Sequence, residues 1–389
     1  MPDVPQYSKV RIGLFSIGLD AYWPQFPELK EKLLGYNRQI ARRLRRDGVE
    51  VVNLELVDTP EKAMSAGHRF RETDVDIIFL HVATYALSST VLPVVRRAKT
   101  PVVILNLAPG TAIDYASFNQ LQDRGKMTGE WLAWCQACPV PEIANVFQRS
   151  RIPFFQVSGM LENDPVAWDE IGEWIEAARV AHIMEHNRLG VMGNYYGGML
   201  DIYSDLTQQC AYFGGHIEIL EVEELAALRR DVGETNLNRR VDDFRTSFDV
   251  QADCSVEELQ RAARTSVALD KLVKTHSLGS LAYYHKGIGS PENEDAISSI
   301  ILGTSLLTSR GVPVAGEYEI KNAQAIRSWI PSAPEVPSLN TMRWITTTMS
   351  CSWDTTVPAT SRSLKARPRF VRCRCTTERL GGDCRWRCQ

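Results

Sequence analysis

Among the 389 residues, the side chains best placed for chemistry are two carboxylates, Glu317 and Glu319, in the stretch Val314-Ala315-Gly316-Glu317-Tyr318-Glu319-Ile320-Lys321. A short apolar strand ends at Gly316 there and delivers both carboxylates into the start of a helix. The carboxyl end of a parallel strand is where α/β proteins bind ligands, and paired carboxylates suit proton transfer or metal binding. Other groupings offer alternatives. His182-Ile183-Met184-Glu185-His186 fits H-x-x-E-H, in which two helical histidines bind zinc; the bland reading is a half-exposed helix face. Cys135-Gln136-Ala137-Cys138 has no second pair at zinc spacing and follows no first strand, so it reads as two small residues on one helix. Two loops, Gly193 to Gly198 and Gly287 to Gly289, fit no nucleotide-binding pattern; they are tight turns or the lining of a polar-ligand crevice. Tyr283, Tyr284 and His285 could line the same crevice, and a structural histidine is the alternative for His285.

The elements that would position these groups alternate regularly. Apolar runs at Val10–Phe15, Val51–Val57, Val75–Val82 and Pro101–Leu107 read as strands separated by helices, the one after Asp58-Thr59-Pro60-Glu61 carrying a good start signal. A long helix over Val166–Asn187 opens a second unit with strands at Leu189–Met192, His216–Val222 and Leu278–Tyr284, and a helix over Met199–Phe213. Leu225 to Val250 is charged and reads as surface. The fold class expected is α/β, with two doubly wound, Rossmann-like parallel-sheet domains at 1–165 and 166–325.

Composition excludes several functions. A hydrophobic content of 44% with 23% charged residues is that of a globular protein. The net charge of −3 gives no reason to expect nucleic acid. No apolar run approaches ~18 residues and no leader is apparent, so no membrane partner and a cytoplasmic location are expected. Charge is uneven, however. From Ile326 to Gln389 there are 11 Lys/Arg and 4 Asp/Glu, a net of +7, which leaves −10 on the first 325 residues. Five of nine Cys also fall in this tail.

The stretch Val314 to Ala325 resembles the Ala-Gly-Glu-x-(Asp/Glu)-x-Lys segment of the L-arabinose isomerases and related L-fucose isomerase-like proteins, with Met192-Gly193-Asn194 and Met199 agreeing in order. The resemblance implies a metal-dependent aldose–ketose isomerase that holds Mn²⁺ with two Glu and two His and moves a proton through an enediol. It implies that Glu317 is catalytic and a metal ligand. It further implies substrate contacts at Met199, Tyr284, His285 and Leu19, an aldose or ketose as partner, and a homo-oligomer.

The family's second Glu, its His ligands and its C-terminal β-barrel are missing. Residues 326–389 become intelligible in a shifted frame: Ser332 to Asn340 allows Gly-Ala-Gly-Gly-Ser-Phe-Thr-Glu, and Ser350 to Thr360 allows Val-Leu-Met-Gly-His-Asp-Gly-Pro-Gly-His. The tail is therefore expected to be an out-of-frame, poorly ordered replacement for the barrel, and the chain to be a defective isomerase. The competing expectations are a sugar-binding α/β module without catalysis, and a zinc hydrolase using His182, Glu185 and His186.

Overall fold

A computed structural model describes residues 9–286 and 290–329. The chain divides into two compact units, one ending at His182 and one beginning at Ile183.

The first unit contains β1 (Val10–Ile17), β2 (Val49–Val57), β3 (Ile77–Val82), β4 (Val102–Ala108) and β5 (Phe154–Met160), in the order β2-β1-β3-β4-β5 with every pair parallel. Strands β1, β3 and β4 are apolar on both faces because helices cover both. Leu14, Phe79 and Leu105 pack with Ile40 and Leu44 of helix Pro27–Leu44 and with Ile171 and Ile175 of helix Pro165–Glu185. Phe15, Ile78 and Ile104 face the other way, toward Phe70, Val94 and Phe147. The start signal read in the sequence is realised: Pro60 opens helix Pro60–Glu72, and the Thr59 hydroxyl accepts the Lys62 N–H at 3.2 Å, a cap worth about 1 kcal/mol. Beside it, buried Asp58 accepts Trp23 Nε1–H at 2.8 Å and pairs with Lys62 at 2.6 Å.

Three sequence expectations need correction. Strand β5 was not foreseen; it is an edge strand with only Val157 fully buried, so it lacks the apolar run that marked its neighbours. Helix Pro165–Glu185, expected to open the second domain, buries Ala167, Ile171, Ile175 and Ala178 against the first sheet, and the division between units falls near its end. Leu225 to Val250 is not a surface stretch. It supplies helices Val222–Arg230 and Glu234–Ser247, whose Leu225, Leu237, Val241 and Phe244 are buried. The last three follow a helical period that the surrounding charges obscured.

The second unit contains β6 (Arg188–Gly193), β7 (His216–Leu220), β8 (Ser280–Tyr284) and the two-residue β9 (Val314–Ala315), all parallel, in the order β7-β6-β8-β9. One face packs Met192, Leu220, Leu281 and Tyr283 against the helices of residues 222–309. The other packs Val191, Ala282 and Ala315 against Ile320 and Ala323 of helix Ile320–Trp329 and Leu206 of helix Leu206–Phe213. Two parallel-sheet α/β units are thus present. No break marks the expected frame change at 326: the final helix runs through it, with Ile326 and Arg327 buried. The expected out-of-frame tail beyond Trp329 lies outside the described residues, as does the loop Gly287 to Gly289, and nothing in the structure supports a frameshift or a replaced barrel.

Candidate functional site

In the second sheet the chain leaves β6 toward β7 on one side and leaves β8 toward β9 on the other. The β6/β8 junction is therefore a switch point, where diverging connections open a crevice at the carboxyl ends. Three strand-end loops are tied together there by their backbones. Asn194 N–H donates to Tyr284 O at 3.0 Å, and Tyr318 N–H donates to Tyr283 O at 2.9 Å. Gly193 makes the first tie possible. Its φ is +88°, and a Cβ there would lie 2.0 Å from the Tyr284 carbonyl oxygen.

The loop after β9 is not the helix start the sequence suggested. Glu317 and Tyr318 precede the helix and both hold left-handed backbone, at φ +57° and +63°, a region that costs non-glycine residues roughly 1–2 kcal/mol each. The turn aims Tyr318 inward. Its ring, 6% exposed, meets Tyr195 edge-on at 4.6 Å between centroids, and Tyr195 meets Tyr203 at 5.1 Å. Tyr195 is fixed further because its hydroxyl donates to Ser204 O and accepts Ser204 N–H, each at 3.2 Å. Tyr196 packs on Tyr284 at 5.0 Å.

Glu317 and Glu319 are both half-buried, Glu317 beside Tyr284 and Glu319 beside Glu317. Burial pushes the Glu317 carboxyl above its ordinary range, with Asp201 adding repulsion. Burial likewise raises Glu319, with Glu317 and Asp201 repelling it and Lys321 opposing. Lys321 Nζ donates to the Asp201 backbone carbonyl, and the Asn322 side chain donates to Glu319. The Tyr284 phenol is raised by burial, then by Tyr196 and Glu317, which puts Tyr284 and Glu317 in one electrostatic neighbourhood. His285 follows directly. Its Nε2 is buried and lacks a hydrogen-bond partner among the described residues. Nearby Glu223 accepts Asn293 Nδ2–H at 2.7 Å and is lowered by hydrogen bonds from its own backbone and Asn293, then by His285. Such an arrangement can receive hydroxyl donors at its carboxylates and pack carbon–hydrogen faces on its rings.

Of the residues singled out in the sequence, Glu317, Glu319, Tyr284 and His285 belong to this strand-end region. Met199 is half-buried at the end of the loop after β6, immediately before the turn Leu200–Ile202. Leu19 lies in the first unit, half-buried after β1. Sequence reading missed Tyr195, Tyr203 and Tyr318. Tyr195 and Tyr318 stand just after β6 and β9, where their signal was present, but only the fold packs them together and Tyr203 on Tyr195.

The zinc alternative is corrected. His182 Nδ1 lies 2.7 Å from Asp76 Oδ1, and Asp76 Oδ2 accepts Arg11 N–H at 2.6 Å, which commits this histidine to anchoring helix Pro165–Glu185 beside β3. Among the described residues no three His, Cys, Asp or Glu side chains are grouped to hold a metal.

No family model matches the chain, and no curated protein does. The solved structures similar to it include a periplasmic solute-binding protein of an ABC transporter from Actinobacillus succinogenes 130z with bound D-allose, at 11% identity, 79% coverage of this chain, 78% of that one and a TM-score of 0.21. They also include a solute-binding protein of an ABC transporter from Rhodopseudomonas palustris BisB5 in complex with 3,4-dihydroxybenzoic acid, at 11% identity and 79% and 62% coverage, TM-score 0.21. A third, from R. palustris in complex with 4-hydroxybenzoate, has 10% identity and 87% and 73% coverage, TM-score 0.20. At such scores the superpositions fix neither residue correspondences nor a ligand. The resemblance to sugar isomerases is corrected, because no family model and no curated protein, isomerases included, matches the chain. The expectations of isomerase activity, arabinose catabolism and manganese fall with that resemblance, and the metal-ligand role of Glu317 loses its support. No helix among the described residues is long and apolar enough to cross a membrane.

Proposed function

We propose that the second unit is a small-molecule binding module whose ligand is a neutral, polyhydroxylated molecule of sugar size, held without chemical change. The observation that carries this reading is the meeting of tyrosines from the end of β8 and the loops after β6 and β9, with Glu317 beside Tyr284 and Glu319 beside Glu317. Carboxylates accept the donor hydroxyls of a polyol, and ring faces take its apolar side. Glu317 and Glu319 are the acceptors, Tyr284 and Tyr195 the platform, and His285 an additional polar contact. Calorimetry with aldopentoses and aldohexoses tests it. Binding is expected in a chelator-treated sample, weakened at least tenfold by Glu317→Gln and by Tyr284→Ala. Strictly Mn²⁺-dependent heats, or heats indifferent to both substitutions, would refute the reading.

A further inference from the structure

The C-x-x-C of the first unit is not on a helix. It forms the turn between helices Arg124–Leu132 and Val140–Arg149, closed by Cys138 N–H donating to Cys135 O at 3.2 Å. Such a turn brings its first and last Cα atoms within about 7 Å, inside the range that a disulfide bridges without backbone movement. Both residues are free thiols. Their surroundings differ sharply: Cys135 is 3% exposed, and Cys138 is exposed. Burial, then the neighbouring Cys138, pushes the Cys135 thiol up to about 12, so it stays protonated at neutral pH. The turn is anchored to the sheet, because the Thr84 hydroxyl after β3 donates to Leu132 O at 2.7 Å.

We propose that Cys135 and Cys138 form an oxidation site that a two-electron oxidant of the hydroperoxide class closes into a disulfide. The exposed Cys138 sulfur attacks the peroxide oxygen, which breaks the O–O bond, yields a sulfenic acid at Cys138 and releases the other oxygen as water. The Cys135 sulfur then attacks the Cys138 sulfur, the S–O bond breaks, and the hydroxyl leaves as water with the Cys135 proton. Two thiols and one hydrogen peroxide thus give one disulfide and two waters. Closure pins the link between the two helices where Thr84 already ties it to the end of β3.

The test treats the full chain with hydrogen peroxide, alkylates the remaining thiols and maps them by peptide mass. The expected result is joint loss of alkylation at Cys135 and Cys138, with the peptide carrying them about 2 Da lighter. In Cys135→Ser the exposed thiol has no resolving partner and is expected to proceed to sulfinic acid. In Cys138→Ser, Cys135 is expected to survive as a free thiol. The proposal is overturned if wild-type Cys138 reaches sulfinic or sulfonic acid while Cys135 still alkylates. It is equally overturned if Cys138 pairs with a cysteine other than Cys135, or stays reduced while the half-buried Cys210 and Cys254 are consumed. If a variant does not fold, the wild-type map alone decides.

Discussion

Replacing His81 with Asn should flatten the acid side of the first unit's stability curve. His81 on β3 is fully buried, and its Nδ1 lies 2.8 Å from Ser16 Oγ on β1. A chain of donors lies behind that bond. Glu55 N–H donates to Asn53 Oδ1 at 2.9 Å, Asn53 Nδ2–H to Asn37 Oδ1 at 2.6 Å, and Asn37 Nδ2–H to Ser16 Oγ at 2.9 Å. Ser16 Oγ thus accepts from Asn37 and keeps its own proton for a second bond, and burial keeps the imidazole neutral. Nε2 has no partner among the described residues. A second proton would put an unpaired charge in the core, and burial lowers the His81 pKa from 6.5 to about 3.

The sign follows from proton linkage. Below pH 6.5 the unfolded chain binds a proton at this histidine that the folded chain refuses, so stability falls as pH drops from 6.5 toward 3, at up to about 1.4 kcal/mol per pH unit. The window spans roughly 5 kcal/mol, as large as the whole stability of a marginal domain. Above pH 6.5 the group contributes no slope. Asn keeps an acceptor for the Ser16 hydroxyl and cannot titrate. It leaves a void that lowers stability at every pH, but that offset does not alter the slope. Amide hydrogen exchange of β1 and β3 between pH 4 and 7, referenced to intrinsic exchange rates, reads the opening free energy of this unit in both proteins. Contributions from the carboxylates cancel in the difference, which should amount to close to one proton. Equal slopes in the two proteins, or an imidazole that titrates near pH 6.5 in the folded chain by nuclear magnetic resonance, would refute the reasoning.

Gly193→Ala should cost on the order of 3 kcal/mol, because it combines a left-handed φ with a Cβ 2.0 Å from Tyr284 O; Gly197→Ala, with open space around it, should stay within about 0.5 kcal/mol in the same thermal melts. Asp270 holds Arg240 at 2.5 Å and Arg310 at 2.5 Å, so Asp270→Ala leaves buried Arg240 short of its main anion and should destabilise by about 3–5 kcal/mol; Glu292→Ala, breaking the exposed pair with Arg230, should change urea midpoints by less than a tenth of that. Sugar binding should weaken on acidification starting above the ordinary carboxylate range, because Glu317 and Glu319 are raised and are weaker acceptors, with fewer acceptor sites, once protonated; titration calorimetry from pH 4 to 7 that shows constant affinity would count against their role. Glu317→Gly should leave the melting temperature unchanged or higher, by relieving the φ of +57°, while abolishing binding.

How far the sequence could be read depended on which physical signal each segment carried. Strands β1, β3 and β4 were legible because burial on both faces demands continuous apolar runs. The edge strand β5 was not, because Phe155, Gln156 and Ser158 are exposed and dilute that signal. Helix Glu234–Ser247 was hidden by charge: Arg240 occupies a buried position that a hydrophobic pattern scores as surface, and only the fold brings Asp270 and Ser266 to it. The site divides in the same way. Carboxylates at a strand end are visible in one dimension, whereas the packing of Tyr195 on Tyr318 needs β6 and β9 placed on either side of β8.

Glu317 shows most clearly what a motif can and cannot carry. Read as a segment, Ala315 to Lys321 led to an isomerase and a metal; read as backbone, the same residues pose a different question. Two successive left-handed residues without a glycine carry a local backbone cost that glycine would not. The hydrogen bond from Tyr318 N–H to Tyr283 O holds the turn, but a backbone bond needs no particular side chain. What glycine would forfeit is the carboxylate beside Tyr284 and the ring against Tyr195. Side chains held at strained positions at the strand ends are the ones to test against the proposed ligand, and that choice stands on this chain's own geometry, independent of any resemblance.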